Sequence, residues 1–212
     1  IRITSRREDI DRAIKFANKL QEFTKLDMSF QIINSTNYSK NELSNIAKKF
    51  KGSNFLYIYF ADSHGNLNLI NDYWKFKDAI EIFKENNFMV GFHLHNHTDR
   101  ALLNYYYGLQ NNINIMDTSI CGLGKGGGNL KLENIIINEN LIELLSFMKK
   151  EKKHLHIKNT DYLFHIISGR LGITDNYAKK AIEQNLSLEK FQIFASKLRG
   201  IDKDTFNKKL LF

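Results

Sequence analysis

The sequence predicts an α/β fold in which parallel strands alternate with helices. Short runs rich in β-branched and aromatic residues recur at intervals of roughly 25–30 residues, as strands do in repeated β-α units. Each run is followed by a segment whose apolar residues have helical spacing. Strands that are separated by helices pair in parallel, because a parallel connection must cross back over the sheet.

The strand-like runs and the helix-like segments can be assigned in chain order. Strands are predicted at 1–4, 28–33, 54–62, 88–95 and 113–120. Helices are predicted at 9–23, from Ser39 onward, at 72–86, at 99–110 and at 138–153. The start at Ser39 rests on a capping box, since Glu42 follows at the spacing that lets the two side chains cap each other.

Beyond residue 154 the alternation stops. Helical segments follow one another without strands between them, which predicts a small helical C-terminal extension at 155–212 after an α/β domain at 1–154. The α/β part fits either an open doubly wound sheet or a piece of a (β/α)8 barrel. No glycine-rich fingerprint follows the first strand, which makes a dinucleotide-binding fold the weaker alternative.

Composition excludes several classes of protein. The net charge is +8 and the pI about 9.4, but the lysines are spread along predicted helices without a nucleic-acid-binding motif, so we expect no nucleic acid partner. No apolar run approaches the ~20 residues of a membrane span, so we expect no membrane association. Cys121 is the single cysteine, which rules out an internal disulfide and favours a cytoplasmic location.

Three histidines occupy alternate positions at the end of the fourth predicted strand, in the stretch GFHLHNHTDR. Side chains alternate across a strand, so His93 and His95 point to the same face, at the sheet edge where parallel α/β folds carry their chemistry. They could share one divalent ion, and His97 could be a third ligand, an outer group or neither. Two hydrogen-bonded histidines without a metal remain the alternative, because two ligands do not make a site.

Polar residues follow two other strands as well. The stretch FADSHGN comes directly after the third strand, and a glycine-rich loop follows Asp117 at the end of the fifth. That loop could present backbone N–H groups to an anion or simply be a turn. Asn129 ends it, with an amide oxygen suited to a hard cation. Three polar strand ends indicate one shared rim.

The segment from residue 91 to residue 133 resembles the HMG-CoA-lyase-like superfamily of metal-dependent TIM barrels. The pattern is H-x-H, an Ala and an Asn on the next helix, D-x-x-x-x-G-x-G, then G-N and a Glu. It is met by His93, His95, Ala101, Asn104, Asp117, Gly122, Gly124, Gly128, Asn129 and Glu133. The resemblance covers about residues 1–150 and implies the last five strands of a (β/α)8 barrel.

The first barrel strand of that superfamily, with its Arg and metal-binding Asp, has no counterpart in this sequence. We therefore expect the chain to be the C-terminal part of a longer protein, which the sequence upstream of Ile1 would test.

Within the superfamily, the chain looks most similar to the 4-hydroxy-2-oxovalerate aldolase branch. The resemblance implies a divalent ion, Mn²⁺ or Mg²⁺ with Zn²⁺ as an alternative, bound by His93 and His95. Asn129 matches a metal ligand of the lyase branch. Ser63 would contact the carboxylate of a small 2-oxo acid, Tyr162 would donate a proton from the helical tail, and Cys121 would have no role beyond packing.

The implied reaction is aldol cleavage of a carbon–carbon bond that gives pyruvate and an aldehyde. Two other functions remain open: a Claisen-type acyl-CoA synthase or pyruvate carboxyltransferase, and a non-catalytic partial barrel that binds a partner or serves assembly. The resemblance also implies either a partner dehydrogenase, docked through the helical tail, or a homo-oligomer.

Overall fold

The structure is a computed structural model, and it describes residues 1–136, residues 144, 147 and 151, and residues 162–210. In the described part, no helix is both long enough and apolar enough to cross a membrane. The predicted boundary at 154/155 lies outside the described residues, so the division into 1–154 and 155–212 stays a prediction.

The chain forms two compact units. Unit 1 comprises Ile1–Ser63, Leu67–His93 and Asn104–Asp117. Unit 2 comprises His64–Asn66, Leu94–Leu103 and Thr118–Phe212.

Unit 1 contains a five-stranded sheet. Leu94, the last residue of the fourth strand, belongs to unit 2. The strands are β1 Arg2–Ser5, β2 Ser29–Ile32, β3 Tyr57–Asp62, β4 Met89–Leu94 and β5 Ile115–Asp117, and they lie side by side in sequence order. The pairs β1–β2, β2–β3 and β4–β5 are parallel. The predicted α/β class with a parallel sheet is confirmed, and so is the type of every predicted strand.

The sheet of unit 1 is strongly curved. Neighbouring strands lie about 4.8 Å apart, so β1 and β5 would be about 19 Å apart if the sheet were flat. The Arg2 side chain on β1 nevertheless hydrogen-bonds the Asp117 carboxylate on β5, and its guanidinium carbon lies 3.8 Å from the ring centroid of Tyr59 on the central strand. Side chains from β1, β3 and β5 therefore meet on a concave face. Alternate strands supply the interior layers of a TIM barrel in the same way.

Helices follow the strands at the predicted places. They are α1 Ile10–Phe23, α2 Lys40–Lys49, α3 Leu69–Glu85 and α4 Ala101–Gln110. α3 begins three residues earlier than predicted, because the Asn104 side-chain oxygen accepts a hydrogen bond from the Leu69 N–H and the Asp72 carboxylate accepts one from the Asn68 N–H. Of the helix predicted at 138–153, only residues 144, 147 and 151 are described, and all three are helical.

The core of unit 1 is built from phenylalanines. Phe30 and Phe60 from the strands meet Phe50, Phe76 and Phe83 from the helical side, and all five are fully buried. The rings pack mostly edge to face, with centroids 4.9 Å apart for Phe30–Phe50 and 5.2 Å for Phe60–Phe76. This packing fixes the strands whose ends carry the candidate site.

The tail of unit 2 is helical, as predicted. Its described helices are α5 Tyr162–Leu171, α6 Asp175–Glu183, α7 Leu188–Lys197 and the single turn α8 Ile201–Asp204. Tyr177, Ala178 and Ala181 of α6 pack against Phe191 and Ala195 of α7 in a buried apolar cluster. This cluster holds the helices together without any strand.

The predicted capping box at the start of α2 is present and makes a test of the fold. The Ser39 backbone N–H donates to Glu42 at 2.8 Å, and this bond is the main cause that lowers the pKa of Glu42. A lowered folded-state pKa adds stability above the unfolded pKa of about 4.3, and that stability is lost as the pH falls through the folded value.

We expect Glu42→Gln to lower the free energy of unfolding by a constant amount above about pH 5. The difference from the parent protein should shrink at lower pH. Urea unfolding of both proteins between pH 7 and pH 3 measures it, and a difference as large at pH 3 as at pH 7 would contradict this assignment.

Candidate functional site

His93 is held by a carboxylate in unit 1. His93 on β4 is the register partner of Asp117 on β5, and its Nδ1 lies 2.8 Å from Asp117 Oδ2. With the proton on Nδ1, the ring donates to the carboxylate and its lone pair is on Nε2. A carboxylate in this position fixes the tautomer and orientation of a metal-binding histidine and raises its basicity. The geometry therefore suits His93 to the role that the sequence predicts.

Asp117 also pairs with Arg2. The two guanidinium Nη atoms of Arg2 donate to the two oxygens of this carboxylate, and Nη1 lies 3.2 Å from Gln31 Oε1 as well. Burial is the largest effect on Asp117 and raises its pKa, but the hydrogen bonds and charges of His93 and Arg2 together bring that pKa below its usual range. Asp117 is thus a carboxylate at neutral pH and remains an acceptor for His93.

His95 lies in unit 2, next to the end of the glycine loop. His95 and Asn129 form an isolated antiparallel bridge, flanked by backbone bonds from Asn96 N–H to Gly128 O at 2.8 Å and from Leu130 N–H to Leu94 O at 3.0 Å. The bridge places the predicted ligands His95 and Asn129 side by side on two chain segments.

The side-chain amide of Asn129 makes a hydrogen bond through its nitrogen but not through its oxygen. Its Nδ2 donates to Leu123 O at 3.2 Å, whereas its Oδ1 is buried and accepts no hydrogen bond from the described residues. A buried amide oxygen without a donor costs free energy, and a cation would satisfy it. Imidazole nitrogens and an amide oxygen are ligands that divalent ions accept, so the residues present fit such an ion.

Ser63 comes directly after β3, within unit 1. Its Oγ accepts a hydrogen bond from the Asn34 N–H at 3.0 Å. Since the oxygen is already an acceptor, its own proton can be donated to an anion. Contact with a substrate carboxylate stays a prediction for Ser63.

Two other predicted assignments concern residues of unit 2. Tyr162 is the first residue of α5, but its side chain lies outside what the structure describes, so its role as proton donor stays a prediction. Cys121 has a left-handed backbone with φ of 56°, and its N–H donates to Glu133 at 3.0 Å. Burial, followed by the charge of Glu133, raises the pKa of its thiol, and the packing role stays a prediction.

Sequence analysis missed Arg2 and Tyr59 as members of this site. The sequence does indicate that Asp117 belongs to the site, because this residue ends a strand and opens the D-x-x-x-x-G-x-G pattern. Arg2 and Tyr59 carry no such signal, since their meeting depends on the curvature of the sheet.

Comparison with known families identifies the family of this chain. The model of the family described as HMGL-like matches residues 2–159. The chain belongs to the HMGL-like family. Members of this family are mostly metal-dependent lyases or transferases, in keeping with the donor atoms of His93, His95 and Asn129. The comparison with curated proteins gave no match.

Solved structures similar to this HMGL-like chain share its fold at low sequence identity. The N-terminal domain of a candidate aldolase from Bacteroides vulgatus matches with a TM-score of 0.66 and 22% identity over 86% of this chain. The carboxyl transferase domain of pyruvate carboxylase from Rhizobium etli matches with 0.64 and 16% over 92%. Hydroxymethylglutaryl-CoA lyase from Pseudomonas aeruginosa matches with 0.53 and 13% over 86%.

This HMGL-like chain spans 62% of the Bacteroides vulgatus domain, 37% of the Rhizobium etli domain and 67% of the Pseudomonas aeruginosa lyase. These similarities support a (β/α) barrel type of fold for the 86–92% of this chain that they cover.

Proposed function

We propose that the protein is a divalent-metal-dependent carbon–carbon lyase of the aldolase type, which cleaves a 4-hydroxy-2-oxo acid into pyruvate and an aldehyde. The observation that carries the proposal is the His93–Asp117 pair, because a carboxylate that orients a histidine at a strand end is the usual support of a metal ligand. His93 and His95 are the proposed ligands, with Asn129 as a further oxygen donor.

A divalent ion bound by these residues would supply Lewis acidity at the 2-oxo group, which lowers the barrier to breaking the C3–C4 bond between the pyruvate part and the aldehyde part of the substrate. The residues of the chain have separate tasks. Asp117 keeps His93 in the tautomer whose Nε2 carries the lone pair, and Arg2 balances the charge of Asp117. Ser63 is proposed to donate its hydroxyl proton to the substrate carboxylate, and Tyr162 to be the proton donor from the tail.

The substrate assay separates this function from its alternatives. The full-length protein should release pyruvate from 4-hydroxy-2-oxovalerate. The release is measured by coupling it to lactate dehydrogenase, which consumes NADH as it reduces the pyruvate. A chelator should abolish the release, and Mn²⁺ should restore it. Turnover of acyl-CoA substrates without 2-oxo-acid cleavage would favour a Claisen-type synthase. Failure to bind any divalent ion would favour a non-catalytic barrel.

We expect Ser63→Ala to raise the KM for the 2-oxo acid by about 10-fold, with a smaller effect on kcat, because a hydrogen bond to a charged group is worth about 1.5–3 kcal/mol. Steady-state kinetics of pyruvate release measures this. Ser35→Ala is the matched control, since the buried Ser35 hydroxyl donates to Ala61 O at 2.9 Å. Equal KM values for the two variants would remove Ser63 from the substrate site.

A further inference from the structure

Unit 2 contains a second group of potential metal ligands, apart from His93 and Asn129. His97 follows β4, His165 lies on α5 and Asp175 begins α6. Their side chains are 1%, 7% and 1% exposed, and one potential ligand atom from each lies within 4.8 Å of the other two. The sequence gives no motif for this group, because its members are spread over 79 positions of the chain (97 to 175).

The hydrogen bonds of the group fix where its lone pairs are. The Nδ1 of His97 lies 2.7 Å from the His64 carbonyl oxygen, so Nδ1 carries the proton and Nε2 carries the lone pair. That Nε2 faces Asp175 Oδ1 at 3.7 Å.

Two acceptors thus face each other in a buried place. Neither His97 Nε2 nor Asp175 Oδ2 has a hydrogen-bond partner among the described residues. Each such atom costs about 1–3 kcal/mol if nothing satisfies it, and two neighbouring lone pairs repel each other more strongly away from water. A cation in the gap between His97 Nε2 and Asp175 Oδ1 would satisfy Nε2 and offset the charge of the carboxylate, whose other oxygen is the unpartnered Oδ2.

The glycine loop leaves room for that cation. A Cβ atom at Gly126 would lie 2.3 Å from His97 Nε2 and 2.4 Å from Asp175 Oδ1. Any other residue at 126 would therefore place a carbon atom in the gap. Gly126 also has φ of +69°, which side-chain-bearing residues rarely adopt, so the loop approaches the two ligand atoms through its backbone.

We propose that His97, His165 and Asp175 bind a divalent transition-metal ion of their own, next to the His93–His95 site, since the rings of His97 and His95 stack with centroids 5.4 Å apart. Two imidazoles and one carboxylate suit Zn²⁺ or Co²⁺, with one position open to a water molecule. Ligand atoms about 2.1 Å from such an ion and at a tetrahedral angle lie about 3.4 Å apart, close to the observed gap of 3.7 Å between Nε2 and Oδ1. The hydrogen-bonded atoms His165 Nδ1 and Asp175 Oδ1, 2.5 Å apart, would have to separate towards the same distance when the ion binds.

His165 has a double role in this proposal. Its Nδ1 lies 2.5 Å from Asp175 Oδ1, so the ring donates a hydrogen bond to the carboxylate when no ion is bound. To become a ligand through Nδ1, the ring shifts its proton to Nε2 and binds as the other neutral tautomer, without net release of a proton. The bound ion would join the segment after β4 to α5 and α6.

Cobalt stoichiometry tests the proposal in the full-length, metal-free protein. The parent protein should bind two equivalents of Co²⁺, and His93→Ala and Asp175→Asn should each bind one. Asp204→Asn is the matched control: Asp204 is the carboxylate of another His–Asp pair in unit 2, about one-third exposed and 3.1 Å from Nε2 of the buried His64. It should bind two.

Gly126→Ala is a second variant, because it keeps every ligand side chain and fills the gap, and circular dichroism checks that it folds despite a side chain at a φ of +69°. It should lose one equivalent of Co²⁺ and the visible absorption of four-coordinate Co²⁺. The same stoichiometry in the parent, Asp175→Asn and Gly126→Ala proteins would overturn this site. One equivalent in the parent and in His93→Ala, with none in Asp175→Asn, would support this site and refute the metal centre under the proposed function.

Discussion

The His93→Ala variant is expected to lose more than about 100-fold in affinity for Mn²⁺, since removal of an outer-shell partner alone costs about 10–100-fold and a direct ligand contributes more. The remaining ligands would have to bind the ion without the nitrogen that Asp117 orients. Aldol cleavage should fall with metal occupancy. Isothermal titration of the metal-free, full-length protein with Mn²⁺ measures the affinity directly.

The same variant should keep its fold. His93 is one-fifth exposed, so its removal leaves a smaller cavity than the loss of a fully buried side chain would. The far-ultraviolet circular dichroism and the Co²⁺ equivalent assigned to His97, His165 and Asp175 should both persist. An unchanged Mn²⁺ stoichiometry and affinity in His93→Ala would show that His93 is not a ligand, and the lyase proposal would lose its main support.

The fold could be predicted from the sequence because each strand is a short run rich in β-branched and aromatic residues and each helix has apolar residues at helical spacing. In the strand Tyr57–Asp62 the first five residues are apolar, and four of them are aromatic or β-branched. Boundaries were less accurate. Residues 113–120 read as one strand, yet β5 ends at Asp117, because Ser119 instead bonds the segment at 130–132. That pairing is not local, so no local pattern predicts it.

The candidate site was only partly predictable for the same reason. His93 and His95 stand two positions apart, and a strand puts such residues on one face whatever the rest of the chain does. Arg2 lies 115 positions before Asp117, and the two meet because the curved sheet brings β1 towards β5. An arginine in the short run IRIT gives no hint of that partner.

The group of His97, His165 and Asp175 shows the same limit more clearly. His97 belongs to the conspicuous H-x-H-x-H stretch, but the two other members of its group, His165 and Asp175, lie in the helical tail. The glycines of the loop at 122–128 predict backbone freedom, whereas the structure gives one of them a particular task. Gly126 alone lies where a Cβ would fill the gap between His97 Nε2 and Asp175 Oδ1.

The Asp117→Asn variant is expected to bind Mn²⁺ about 10–100-fold more weakly than the parent protein, although Asp117 is not a proposed ligand. The carboxylate accepts three hydrogen bonds, two from Arg2 and one from His93, whereas an amide of the same shape has one acceptor oxygen and turns an NH₂ group towards a donor, so it cannot satisfy all three. His93 is then free to rotate or to change tautomer. We also expect the free energy of unfolding to fall by about 1–3 kcal/mol, because a half-buried guanidinium loses its counter-charge.

Asp78→Asn is the matched control, since Asp78 pairs with Lys40 at 3.0 Å in the same unit and is twice as exposed. Its Mn²⁺ affinity should equal that of the parent. Titrations at a temperature where all three proteins are folded separate the metal effect from the stability effect. A destabilised Asp117→Asn protein with parental Mn²⁺ affinity would make the Arg2–Asp117–His93 chain a purely structural link, because orientation of His93 by a carboxylate is the only route by which Asp117 reaches the ion.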